Sequence, residues 1–367
     1  MAKNSTFRLR LIPPLILLAA AMMLQPQKTV AAARSALGLW ANAVVPSLLP
    51  FFILAQLLVA LGAAQLAGRR LAPLMRPLFD LPGEAALGLV MGFCSGFPTG
   101  AAVAAELKRA GAVTAEEGGR LLAFTNNAGP LFVTATVASA LLGMPEAAGL
   151  LCAGHYGIDL LLGLALGRRS RALRGSRKKE VSAPACAAGS PAPLAELMKT
   201  AAQRAAANLL LIGCFMTFFA VTAALITPAA GPPLLKAGVS GLLEMSLGIN
   251  ALTESGLEIK TLLPLIGAEL AFGGLSVQMQ VLAMTAGTDI SPRLYLLSRP
   301  FHAALSAVFI RVTLPLVGLP RPVSGGGGGI SAPGARFLFR RSLHQAGLIA
   351  VCWLLFALTA PKEKRRG

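Results

Sequence analysis

Apolar stretches close to bilayer length recur along almost the whole chain, and no other feature restricts the fold as strongly. They occupy residues 12–25, 36–66, 85–107, 119–143, 146–167, 205–228, 234–252, 259–287, 293–318 and 343–360. A helical span needs about 20 mostly apolar residues. In hydrocarbon each backbone N–H and C=O must find a partner within the protein, which favours helices. The expected fold is all-α, a polytopic membrane protein with about 8–10 apolar helical segments. Composition agrees. Hydrophobic residues make up 55% and charged residues 13%, against about 25% charged in a soluble domain. Not every stretch need span. In 36–66 the run VPSLLPFF carries Pro46 and Pro50, which suggests an amphipathic entry helix, a bend, and a membrane helix ending near Gly62. The stretch 234–252 is short and holds Glu244 and Asn250, so it either lies at the interface or bends back.

The net charge is +18. In a soluble protein that would suggest nucleic acid. Here the basic residues stand in clusters between apolar runs: Arg69, Arg70 and Arg76; residues 168–179; Arg336, Arg340 and Arg341; and residues 362–366. This is the pattern of cytoplasmic loops and headgroup contacts, so the lipid bilayer is the expected partner and nucleic acid is not. The five cysteines are scattered without a CxxC pair, and there are three histidines, so neither a metal nor another cofactor is expected. The sequence holds no HExxH, GxSxG or P-loop, and no carboxylates paired at catalytic spacing. No catalytic residue is nominated, and neither an enzyme nor an ATP-driven pump is expected.

Residues 1–35 read as an N-terminal signal-anchor helix, since Lys3, Arg8 and Arg10 precede an apolar run. Residues 36–167 form a first membrane half and 196–318 a second. Between them, 168–195 make a basic cytoplasmic linker whose seven basic residues and Ser/Ala/Pro tail cannot bury enough apolar surface to fold. A Gly-rich loop at 319–342 and a C-terminal membrane helix with a basic tail at 343–367 complete the chain.

The halves show a faint internal repeat at an offset of 177 residues, pairing 85–115 with 262–292. Each has an apolar run, a small-residue break (CSGFPTG against AFGGLSV), a second apolar helix, a glycine-containing turn and a hydroxyl residue fit to cap the next helix. Those caps are Thr114, with Glu117 three residues on, and Ser291 before Pro292. The expected architecture is two pseudo-repeated halves, each with a broken or re-entrant hairpin. Unwound backbone is tolerated at membrane depth only where it is buried in protein or faces a wet cavity. Interrupted apolar segments in matching positions of two halves point to a transporter's binding site. The helix N-termini at such breaks attract anions. Close helix packing by small residues is the competing explanation.

The run FTNNAGPLF places Asn126 and Asn127 inside an apolar segment and follows them with Gly129-Pro130. Pro130 removes an N–H and frees the carbonyl of Asn126. Two amides and an unpaired carbonyl then sit at one level, either as a ligand site or as interhelical hydrogen-bonding groups. Other polar residues in apolar surroundings are Thr99, Glu244, Asn250, Thr253, Glu254, Glu269, Ser276, Gln278, Arg299 and His302. Intramembrane ionisable groups are functional hypotheses by default. Glu244 and Glu269 are nominated for ion or proton coupling, with an interfacial carboxylate or a basic partner as their alternatives. Arg299 either holds a substrate carboxylate or reaches to headgroups. Asp159 is read as lying near a span's end or paired.

The blocks VVPSLLPFFILAQLLVALG, GFCSGFPTGA, FTNNAGPLF, LEMSLGINAL and FGGLSVQMQV, in this order, together resemble the YlbJ sporulation integral membrane protein family. That family carries the Gate, or nucleoside-recognition, domain. The resemblance runs from residue 36 to residue 311. It implies a fold similar to the core of concentrative nucleoside transporters, with two oppositely oriented re-entrant hairpins. It also implies a role in moving dipicolinate from the mother cell across the outer forespore membrane. The motif positions carried over are Ser95, Gly96, Phe97, Pro98, Thr99, Gly100, Asn126, Asn127, Gly129, Gly273, Gly274 and Ser276.

The expected substrate-binding set is Asn126, Asn127, Ser95, Gly96, Thr99, Gly273, Gly274, Ser276 and Arg299. The expected function is transport of a small carboxylate solute, dipicolinate first. Dipicolinate is a flat ring with two carboxylates, which suits helix N-termini, amide donors and a guanidinium. The alternatives are a nucleoside-type or other metabolite transporter, and a non-transporting scaffold for spore-envelope assembly. A second copy of the chain, or other sporulation membrane proteins, are expected partners.

Overall fold

The computed structural model describes residues 2–174, 193–227 and 231–317. Most of the linker expected at 168–195, the Gly-rich loop at 319–342 and the C-terminal segment 343–367 lie outside the described residues. Every regular element among the described residues is helical.

The N-terminal stretch forms two helices, α1 (Ala2–Leu24) and α2 (Pro26–Leu39), which meet at 100°. Pro26 opens α2, where its missing N–H costs nothing. After a π-helical turn, α3 (Val45–Ala60) carries Pro46 in its first turn and Pro50 inside. It ends before Gly62, which is left-handed at φ 79°. The amphipathic α4 (Ala63–Phe79) then bends by 90° into the next segment.

Two units of like build follow. In the first, α5 (Ala86–Ser95) and α6 (Thr99–Arg109) form a hairpin with its tip at residues 96–98. Both arms close on one carbonyl: a Cβ on Gly92 or on Gly100 would fall on the oxygen of Thr125. Next comes α7 (Ala115–Phe124), capped as expected: Glu117 N–H donates to the Thr114 hydroxyl (3.2 Å) and Thr114 N–H to the Glu117 carboxylate (2.9 Å). The chain then unwinds across 125–129, turns helical again at Pro130 and continues as a π-helical run, Phe132–Leu141. The unit closes with α8 (Ala148–Cys152), a π-turn and α9 (Ile158–Arg174), which together make a rod able to cross a bilayer.

A single long helix, α10 (Leu194–Ile226), leads to the second unit. There α11 (Pro233–Leu243) and α12 (Met245–Thr253) fold back at Glu244, with Gly248 lying directly on Gly241. The helices α13 (Ile259–Phe272) and α14 (Gly274–Thr285) form one span broken at Gly273, and α15 (Arg293–Val317) is the last rod.

The second unit is inverted relative to the first. Lys108 at the end of α6 pairs with Asp289 beyond α14 (3.2 Å), and Arg171 on α9 donates to the Arg76 carbonyl (3.3 Å). At this end of the molecule the first hairpin opens, α7 begins, and α9 and α14 finish. At the other end Val137, Met144, Leu252, Leu262 and Leu314 share one apolar cluster. There the second hairpin opens, α13 begins and α15 finishes. Taken in chain order, the turn at Glu244 answers the tip at Phe97 and His302 answers His155, each 147 residues on.

Each half thus carries a broken hairpin, as expected, but the 177-residue register is corrected. CSGFPTG is a hairpin tip whose counterpart is the turn at Glu244. AFGGLSV interrupts a spanning helix, and its counterpart is TNNAGP. Of the two readings of 234–252, the structure takes the bend.

The face of α15 turned away from the protein shows Leu297, Phe301, Leu305, Val308 and Val312. The buried face holds Tyr295, Ser298, Arg299, His302 and Ser306. Apolar outside and polar inside is the arrangement hydrocarbon imposes. Four helices among the described residues are long and apolar enough to cross a bilayer, or up to six if each bent pair is one span. The chain is a multi-pass membrane protein whose first partner is the bilayer. One apolar cluster lies toward each end, and the buried polar groups gather between them.

Candidate functional site

The centre of this polar layer is the unwound segment after α7. Because Pro130 cannot donate, the Asn126 carbonyl lacks its helical partner. Arg299 Nη1 supplies one instead (3.2 Å). The Asn127 carbonyl accepts from the N–H of Phe97 at the first hairpin tip (2.6 Å). The Ala128 N–H donates to His155 Nε2 (2.9 Å), and the Tyr156 hydroxyl donates to the Ala128 carbonyl (2.6 Å). The strap is therefore held by side chains from both units and by the hairpin tip, which is how open backbone survives at membrane depth.

The two amides have opposite fates. Asn126 Oδ1 accepts from the Ala101 N–H in the first turn of α6 (2.8 Å), and its Nδ2 donates to the Leu122 carbonyl (2.8 Å). It staples the hairpin to α7. Asn127 is fully buried, yet neither its Oδ1 nor its Nδ2 has a hydrogen-bond partner. Its amide lies beside the Asp159 carboxylate without a bond of normal length. A buried polar atom left unpaired costs about 1–3 kcal/mol, so an amide with both ends bare marks a place where something else binds.

Arg299 is the largest of the fully buried side chains. Its Nε meets Ser298 (3.3 Å), Nη1 meets the Asn126 carbonyl and His302 Nδ1 (3.2 Å each), and Nη2 meets the Ala123 carbonyl and Asp159 Oδ1 (3.1 Å). The guanidinium also lies over the Tyr295 ring, 5.0 Å from its centroid. The expected substrate-binding Arg299 is thus a cation already occupied by the protein. Its counter-ion is Asp159, paired as one of the two sequence readings had it.

The hydrogen bonds fix the histidine protons. His155 Nε2 accepts a backbone N–H, so its ring is neutral with the proton on Nδ1, which has no partner. His302 Nε2 lies 2.8 Å from the His155 carbonyl, an acceptor, so that nitrogen carries a proton.

Ser95 and Thr99 bond each other across the first tip (3.0 Å), and Gly96 turns between them at φ 87°. In the second unit, Glu244 caps α12 by accepting from the Leu247 N–H (3.0 Å). Glu269 covers Gly241, with Oε2 buried and unpaired. Ser276 accepts from Gln280 (3.3 Å). Gly273 and Gly274 both have positive φ, and α14 starts there with no capping side chain. The two halves of the site meet at Phe97, whose ring edge is 4.0 Å from where a Cβ on Gly273 would stand.

Ser95, Gly96, Thr99, Asn126 and Asn127 therefore form one cluster, and Glu244, Glu269, Gly273, Gly274 and Ser276 a second, joined at the tips. Arg299 sits behind the strap. His155 and Tyr156 were not singled out in the sequence. Their signal was HYGID, which sets His155 and Asp159 four residues apart on one face of an apolar helix.

The Gate family, described as "Nucleoside recognition", matches residues 42–233. The "Sporulation integral membrane protein YlbJ" of Bacillus subtilis (strain 168) is 30% identical over 327 residues, covering 80% of this chain and 80% of that protein. No solved structure matches. The chain belongs to the YlbJ family of Gate-domain integral membrane proteins.

Proposed function

We propose that this protein transports a small carboxylate solute, dipicolinate first, across the outer forespore membrane of a sporulating cell. The observation that carries the reading is Asn127: a fully buried amide, bare at both ends, on the unwound strap between two helices and beside a hairpin tip. It offers one donor and one acceptor to a bound solute. A second anchor is the uncapped N-terminus of α14, which favours anions. Phe97 stands between the two, with its ring edge toward Gly273. Two anion-receptive points flanking an aromatic suit a flat dicarboxylate. The sporulation setting rests on the printed name of the Bacillus subtilis relative. In this reading Ser95, Gly96 and Thr99 shape the first tip, Gly273, Gly274 and Ser276 shape the second anchor, and Glu269 is the better placed of the two nominated coupling carboxylates, since Glu244 is spent on its helix cap.

The test is the dipicolinate content of spores whose only copy carries Asn127→Ala, with membrane levels checked by immunoblot. Normal protein with dipicolinate lost supports the reading. Normal protein with normal dipicolinate rejects it and favours the scaffold alternative. A nucleoside-type solute is favoured by the description of the Gate family. Nucleosides that suppress dipicolinate uptake in vesicles would argue for it.

A further inference from the structure

We infer that Asp159 is the proton-binding counter-ion of Arg299, and that a proton on Asp159 releases the guanidinium to a carboxylate of the solute. The inference rests on the transport reading above and names its coupling ion.

A guanidinium buried at membrane depth needs one negative charge beside it. Here that charge is Asp159, with side-chain exposures of 2% for Arg299 and 0% for Asp159. Asp159 Oδ1 meets both Arg299 Nη2 (3.1 Å) and His302 Nδ1 (3.4 Å). Asp159 Oδ2 is buried and has no partner. A carboxylate normally fills both oxygens, so the bare one is where a proton adds.

The neighbouring groups leave no better acceptor. From α15, Arg299, His302 and Tyr295 face Asp159. From its own rod come His155 and Tyr156. The strap brings Asn127, which does not titrate. Glu269 of α13 is turned to Gly241, and Asp80 lies at the far end of α9, against Ser170. A proton on His155 Nε2 would break its bond from Ala128 N–H. A proton on His302 Nδ1 would displace Arg299 Nη1. Of the groups that face Arg299, Asp159 gains a proton without losing a hydrogen bond at the oxygen that receives it.

The charges balance. Arg299 with ionised Asp159 is neutral. At the guanidinium, Arg299 with protonated Asp159 and one solute carboxylate is neutral again, and the second carboxylate keeps its charge at the uncapped N-terminus of α14. Nη1 of Arg299 already holds the Asn126 carbonyl, one residue from the bare Asn127 amide, so both solute-binding groups act on the same strap. One proton enters with the solute and leaves with it on the other side.

The test uses the purified full-length chain in liposomes, with dipicolinate uptake read by terbium luminescence and internal pH by a trapped dye. The expected result is uptake that acidifies the lumen, with dipicolinate affinity falling about tenfold per pH unit once Asp159 is ionised. In Asp159→Asn, which mimics the protonated carboxyl, binding should lose its pH dependence. Uptake by the wild type without proton movement overturns the inference and leaves the transport reading standing. So does an Asp159→Asn protein that keeps the wild-type pH dependence. If that variant fails to fold, the wild-type proton count decides alone. No dipicolinate uptake at all overturns both.

Discussion

The rings of His155 and His302 stack at 5.0 Å and 24° across the inverted repeat, although 147 residues separate them. They are equivalent positions of the two units, so the repeat meets itself at a polar contact. His302 donates to the His155 carbonyl and meets Arg299 through its other nitrogen. His302→Ala removes both bonds and should lower stability by about 1–3 kcal/mol. His302→Gln keeps a donor and should recover part of the loss. Thermal unfolding in detergent checks the order of the three proteins.

Arg299 and Asp159 are worth more as a pair than either is alone. Arg299→Ala or Asp159→Ala leaves one buried charge uncompensated, which costs about 3–5 kcal/mol. The double variant Asp159→Asn/Arg299→Gln removes both charges and should be more stable than either single. A double variant as unstable as the sum of its parts would show that the pairing is not what holds the site.

Adjacent amides should separate stability from transport. Asn126→Ala strands the Ala101 N–H and the Leu122 carbonyl, and should destabilise by about 1–3 kcal/mol. Asn127→Ala removes an amide that makes no hydrogen bond of normal length. It should leave the unfolding temperature near wild type while dipicolinate uptake falls. Equal effects on both properties from the two variants would contradict the assignment.

The basic residues predict the orientation. Lys108, Arg109, Arg168, Arg169 and Arg171 cluster at the end where the first hairpin opens, while Glu254, Glu258 and Lys260 mark the other end. The positive-inside rule makes the first end cytoplasmic. In a cysteine-free background, Glu258→Cys should react with an impermeant thiol reagent added on the non-cytoplasmic side, and Arg109→Cys should not. The reverse labelling would invert the assignment.

The membrane class, the spanning rods, the Thr114 cap and the helix break at TNNAGP were legible because each depends on neighbours within a few residues. The second hairpin was harder to place. Its turn at Glu244 uses neither Gly nor Pro, and its one clue was a carboxylate able to cap a helix inside an apolar run. Conversely, Gly273-Gly274 looked like a fold-back and is only a kink in a span. Letters also could not say which asparagine was engaged, since Asn126 spends its amide on Ala101 of a separate hairpin. The same limit hid the partner of Arg299, since its counter-ion lies 140 residues away.

One piece of architecture used twice, once in each direction, has a consequence for motion. Whatever pose the first unit now takes against its neighbours, the second unit is built to take in reverse. A change of shape therefore need not invent a new arrangement: the units can trade poses, and a passage that faced one side then faces the other. The two resting shapes of such a molecule are near twins, told apart by the few side chains that break the likeness. Among them are Asn127 against Gly274 and Phe97 against Glu244.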